Sequence, residues 1–196
     1  MQLVRDFFAD VDRGWPAQLP RAQLSLIGCA ALIVQASYER GTKDSDVFET
    51  TDLSAPVKAF LLQHAGPGSE LHKRRHLYVD IVANGVPFLP HAPRWLKPVG
   101  LNDGYTNIEL LALDIVDVVV SKLKRFNAND QSDIDAMVTA GHVRHADLVR
   151  RFRAAVDEFS ADARAEDLPK YVTHLHRVER DMLGVPESDI ELPPWI

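Results

Sequence analysis

The chain has 196 residues, 46% hydrophobic and 26% charged, enough for one domain with a sizeable core or one domain with an extension. A formal net charge of −6 excludes a surface built throughout to coat nucleic acid, and a single cysteine, Cys29, excludes an intrachain disulfide. The opening residues, MQLVRDFFADVDRGW, place acids among apolar positions with no basic region ahead of a long apolar run, which is not the pattern of a signal peptide. No apolar run reaches the roughly 18 residues of a membrane span, so a cytoplasmic protein is expected.

Val4, Phe7, Phe8 and Val11 recur at helical spacing and predict a short amphipathic helix over 2–12. Gly14, Pro16 and Pro20 then interrupt the chain. A short apolar run predicts a buried strand over 23–27. Gly28 follows, and the alanine-rich stretch 30–38 predicts a helix. The chain turns at 40–42 into a strand expected over 45–49. Pro56 suits the first turn of a helix over 54–63, which Gly66-Pro67-Gly68 ends. HLYVDIV, residues 76–82, is rich in strand formers and carries Asp80, and Asn84-Gly85 signals a turn. A proline-rich loop leads to a strand expected within 105–113. Helices are expected over 114–125, 130–140, 146–159 and 167–183, then an extended tail with three prolines. The order is a mixed α/β first part followed by an all-helical second part.

The segment Arg40-Gly41-Thr42-Lys43-Asp44-Ser45-Asp46-Val47 carries the densest chemistry. Side chains two apart on a strand share a face, so Asp44 and Asp46 converge if this segment is extended. Two converging carboxylates repel unless a cation lies between them, and oxygen ligands of this kind suit Mg²⁺ held with substrate phosphates. Asp80 lies inside an apolar run, where a carboxylate needs a partner unless it faces water. The basic run His72-Lys73-Arg74-Arg75-His76 reads either as a guide for RNA or triphosphate or as a solvated loop. His142, His145, His174 and His176 lack convincing ligand spacing and read as surface residues. Cys29 reads as a small packed side chain, and Trp15, Trp95 and Trp195 as packing residues.

This order of residues resembles the nucleotidyltransferase superfamily, the DNA polymerase β-like fold. In that superfamily a glycine motif opens a helix after the first strand, a D-x-D pair follows on the next strand, and a third acid comes from a later one. Gly28-Cys29, Asp44 with Asp46, and Asp80 fill those places. The branch containing AbiE-type toxins of toxin–antitoxin systems is similar in more detail, through R-x-T-x-D-x-D at Arg40, Thr42, Asp44 and Asp46. A later segment matches at Lys122, Arg125, Asp130 and Asp133. The likeness spans about residues 24–138. Two departures stand out: Cys29 replaces the usual glycine or serine, and Ser45 replaces an apolar residue.

The resemblance implies an α+β protein. A mixed sheet flanked by helices would occupy 1–113, and a helical part packed on that core would occupy 114–196. It implies transfer of a nucleoside monophosphate from a nucleoside triphosphate to a hydroxyl, of a tRNA end or of a protein. Mg²⁺ or Mn²⁺ would be held by Asp44, Asp46 and Asp80, with Asp80 also helping to activate the acceptor. Gly28 and Cys29 would seat phosphate, joined by Lys122 and Thr42. Arg40 would contact phosphate or pair with an acid. A toxin–antitoxin or phage-defence setting would add an antitoxin partner. The alternative is a catalytically inactive nucleotidyltransferase-like module that binds a protein through its helical half.

Overall fold

A computed structural model describes residues 2–36, 38, 44–51, 53–162 and 164–195. These form two compact units. The first comprises Met1–Val86 with Trp95–Leu113, and the second comprises Pro87–Arg94 with Asp114–Ile196.

In the first unit, helix α1 (Gln2–Arg13) buries Val4, Phe7, Phe8 and Val11, the predicted apolar stripe. The strands are β1 (Ala22–Leu26), β2 (Asp44–Phe48), β3 (Tyr78–Val82), β4 (Trp95–Leu96) and β5 (Ile108–Leu113). They form one five-stranded sheet in the order β3-β2-β1-β5-β4. The sheet is mixed: β1 runs parallel to β5 and β2 parallel to β3, whereas β1–β2 and β4–β5 are antiparallel. Helices α2 (Gly28–Ala36), α3 (Ala55–Ala65) and α4 (Glu70–Arg75) complete the unit. This is the α+β arrangement expected, a mixed sheet flanked by helices with further helices toward the C-terminus.

Strand alternation sorts the sheet into two unlike faces. Ala22, Leu24, Leu26, Val47, Val79, Ile108, Leu110 and Ala112 lie on one face and are buried. Burial at about 25 cal/mol per Å² of apolar surface makes this face the adhesive side of the sheet. Ser45 lies on it too. It is fully buried, and its Oγ finds no hydrogen-bond partner among the described residues. The other face carries Asp44, Asp46 and Phe48 from β2 and Tyr78 and Asp80 from β3. The core therefore fixes which side chains are left for chemistry.

Two elements differ from expectation. The basic run at 72–76 is not a loop, because α4 spans most of it. Ser69 caps α4 by accepting a hydrogen bond from His72 N, and His76 closes it in a left-handed conformation with φ 56°. Arg74 and Arg75 both donate to the buried Asp10 carboxylate, at 3.1 and 2.7 Å. The edge strand β4 arises inside the proline-rich stretch, where two residues leave no periodicity to read.

The second unit contains α5 (Ile115–Lys122), α6 (Ala128–Thr139), α7 (His145–Phe159) and α8 (Leu168–Arg177). Phe88 sits among Phe152, Phe159 and Tyr171, with ring centroids 5.1–5.4 Å away, which explains why Pro87–Arg94 belongs here. The expected helix over 167–183 is heterogeneous. A 3₁₀ turn (Ala165–Asp167) precedes α8, and a π-helical segment (Val178–Leu183) follows it. That segment places Glu179 in the interior, where His145 Nε2 lies 2.7 Å from its Oε1 and Ser188 N donates to its Oε2 at 3.0 Å. The histidines are thus not all idle surface groups. His174 Nδ1 lies 2.6 Å from Leu123 O with its ring stacked on Phe126, and His176 Nε2 lies 3.0 Å from Ser188 O. His142 is exposed.

Candidate active site

The site is built where β1, α2, β2 and β3 meet. Ile27 N, just past β1, donates to Asp46 O at 2.9 Å, so the chain leaves β1 against the middle of β2. Gly28 follows with φ +60°, a conformation that costs an L-residue with a Cβ about 1–2 kcal/mol. A Cβ placed there would lie 2.7 Å from Asp46 Oδ2. Only glycine lets the backbone approach the carboxylate so closely. Gly28 also starts α2, so the N-terminus of that helix, with its partial positive charge, abuts the Asp46 side chain. Cys29 is the next residue of α2 and is half-buried.

β2 and β3 pair in parallel with Asp46 directly opposite Asp80 and Asp44 opposite Tyr78. Adjacent strands lie about 4.8 Å apart and residues two apart on a strand about 7 Å. Asp44, Asp46 and Asp80 therefore share one face at spacings a carboxylate pair can span. Asp44 and Asp80 are exposed and Asp46 is half-buried. Of the two readings of Asp80, the acid facing water is the one observed. Its neighbour Val79 takes the buried side, and alternation turns Asp80 to the open side. Tyr78 records the field of this face: burial first, then the charges of Asp44, Asp80 and Asp46, push its hydroxyl above the ordinary value.

The donor set is all oxygen, the chemistry of a hard divalent cation. Among the described residues, no three His, Cys, Asp or Glu side chains are already gathered as a metal-binding group.

Lys122 lies in the second unit. Its side chain is 8% exposed, and its ammonium group sits between Asp130 Oδ1 at 3.1 Å and Asp133 Oδ2 at 2.7 Å. Arg125 donates to both oxygens of Asp130, at 2.9 and 3.0 Å. Asp130 also closes a capping box with Asn127 at the start of α6. Burial raises the Asp130 carboxyl, but Arg125 and Lys122 outweigh it and hold the group below its ordinary value. The segment Lys122…Arg125…Asp130…Asp133 is thus a self-contained ionic knot joining α5 to α6. Arg40 and Thr42 lie outside the described residues.

Tyr78 and Phe48 share this face and belong to no motif in the sequence. Both were accessible to sequence reasoning, since the period-2 rule that pairs Asp44 with Asp46 carries on to Phe48, and the register of β3 adds Tyr78.

Residues 8–178 match a family described as a nucleotidyltransferase of unknown function (DUF6036). The chain belongs to that family. The match covers β1 through α8, both the carboxylate face and the ionic knot. No curated protein and no solved structure matches the chain significantly. Among the described residues, no helix is long and apolar enough to cross a membrane.

Proposed function

We propose that this member of the nucleotidyltransferase family transfers a nucleoside monophosphate from a nucleoside triphosphate to a hydroxyl of RNA, such as a tRNA end, or of a protein. The observation that carries the reading is the in-register pairing of Asp46 with Asp80, with Asp44 on the same face and Gly28 pressed against Asp46. Asp44, Asp46 and Asp80 would hold Mg²⁺ or Mn²⁺, which supplies charge neutralisation at the triphosphate and lowers the pKa of an attacking hydroxyl. Asp80, exposed on its strand, would also help to activate the acceptor hydroxyl. Gly28, which brings the start of α2 against Asp46, and Cys29, the next residue of the helix, would seat phosphate at that helix N-terminus. Lys122 belongs to the proposed phosphate-binding set on the strength of its place in the AbiE-like segment; within the second unit its partners are Asp130 and Asp133. Arg40 and Thr42 belong to the same proposed phosphate-binding set, on the strength of their place before Asp44. The AbiE-like pattern motivates a toxin–antitoxin or phage-defence role with an antitoxin protein as partner.

The test is incubation with each α-labelled nucleoside triphosphate, Mg²⁺, and total RNA or cell protein. Label entering one macromolecular class supports the reading and names the acceptor. No label from any nucleotide contradicts it.

A second reading has its own support. A buried serine, whose Oγ finds no hydrogen-bond partner among the described residues, interrupts the apolar side of β2. This fits a catalytically inactive module that binds a protein partner. Thermal unfolding separates the two: a metal-dependent rise in Tm with nucleotide, lost in Asp46→Asn, supports the enzyme, and no response to any nucleotide supports the module.

A further inference from the structure

The carboxylate face does not end at Asp46. Phe48 continues it two residues along β2, and its ring meets the indole of Trp95 with centroids 5.8 Å apart and planes tilted by 35°. β2 and β4 are not neighbours in the sheet, because β1 and β5 lie between them. The rings can meet because the strand position opposite Phe48 is Ser25, a small and almost fully buried residue over which large side chains can lean. Trp95 is anchored by register to Leu113 on β5, and Phe48 to Ser25 on β1. Both residues are half-buried.

From this juxtaposition we infer that Phe48 and Trp95 form a stacking platform for the nucleobase of the nucleoside triphosphate. The inference rests on the reading that the carboxylate face handles the triphosphate. Phe48 lies about 7 Å along the strand from Asp46, on the same side. A nucleotide whose phosphates lie at Asp46 and Gly28 must place its base within a ribose's reach of them. The occupant must be flat and uncharged, since a second anion would meet the field of Asp44, Asp46 and Asp80. Stacking on an aromatic surface suits any base, because every base presents a π face. Affinity would come from ring contact, while the phosphate end supplies position.

Equilibrium binding of each Mg²⁺-nucleoside triphosphate and of inorganic tripolyphosphate, which has no base, tests the inference. Wild type should bind its nucleotide more tightly than tripolyphosphate. Trp95→Leu keeps apolar bulk and removes the π surface. It should weaken the nucleotide roughly fivefold or more while leaving tripolyphosphate unchanged. Trp95→Phe should restore most of the difference. Phe48→Leu should behave as Trp95→Leu does and replaces it if that variant does not fold. Equal affinity of wild type for nucleotide and tripolyphosphate, or unchanged nucleotide affinity in the leucine variants, overturns the platform and leaves the phosphate site standing. Failure of wild type to bind either probe removes the nucleotide reading, and the platform with it.

Discussion

Gly28 and Asp46 constrain one another through less than the width of a methyl group. Gly28→Ala adds a Cβ that would sit 2.7 Å from Asp46 Oδ2, at a backbone φ of +60°. The left-handed conformation alone costs about 1–2 kcal/mol, and displacement of the carboxylate adds to it. We expect Gly28→Ala to unfold at lower denaturant than wild type and to lose nucleotide binding more severely than its stability loss explains. Urea titration and binding read the two effects separately. Ser45 makes the opposite prediction. Its buried Oγ has no partner among the described residues, so Ser45→Ala removes a desolvated hydroxyl and should raise stability by about 1 kcal/mol. A loss of stability in Ser45→Ala would show that the hydroxyl is satisfied after all.

At the scale of elements, α5 and α6 are joined through charges. Lys122 is buried between Asp130 and Asp133, and Asp130 caps α6 as well as holding Arg125. Lys122→Ala leaves two buried carboxylates short of a cation and should cost about 3 kcal/mol in urea or thermal unfolding. A cost under about 1 kcal/mol would mean that the knot is solvated and Lys122 is available for a ligand. Much of this organisation was legible in the sequence. The helices of α1, α3 and α7 follow from apolar periodicity, β1 from a short apolar run, β2 from the turn expected before it, and β3 from a run of strand formers. Asp44 and Asp46 on one face followed from alternation alone. The helix α4 was not legible, because Glu70–Arg75 is polar all round with Leu71 its one buried residue. Its capping serine, Ser69, was the available signal. The burial of Glu179 was hidden because the π-helical turn shifts the face that a regular helix would present. The engagement of Lys122 with acids was written in the sequence, since Asp130 and Asp133 follow it, but spacing alone does not say whether such a lysine serves a ligand or its neighbours.

For the molecule as a whole, acid should be the sensitive direction. Asp130, Asp147 and Glu179, all in the second unit, have carboxyls held below their ordinary values: burial raises each, and hydrogen bonds from Arg125, Arg150 with Arg94, and Ser188 with His145 outweigh it. A carboxyl depressed in the folded state contributes stability above its unfolded value and loses it as pH falls through its folded value. The loss should begin below the ordinary 4.5 of Glu179 and deepen below the 3.8 of the two aspartates. Tm measured against pH should fall across that window. A constant Tm there would mean that these contacts do not differ between folded and unfolded chains. The same molecule carries on its sheet a face whose carboxylates repel one another in isolation, so a divalent cation with nucleotide should stabilise it by mass action. The central claim is that this face performs nucleotidyl transfer. Label transfer from α-labelled nucleoside triphosphate, compared between wild type and Asp44→Ala and Asp46→Ala proteins of equal Tm, tests it most directly. The account predicts transfer by wild type and a loss of about a hundredfold or more in either variant; transfer by the variants at the wild-type rate would contradict it.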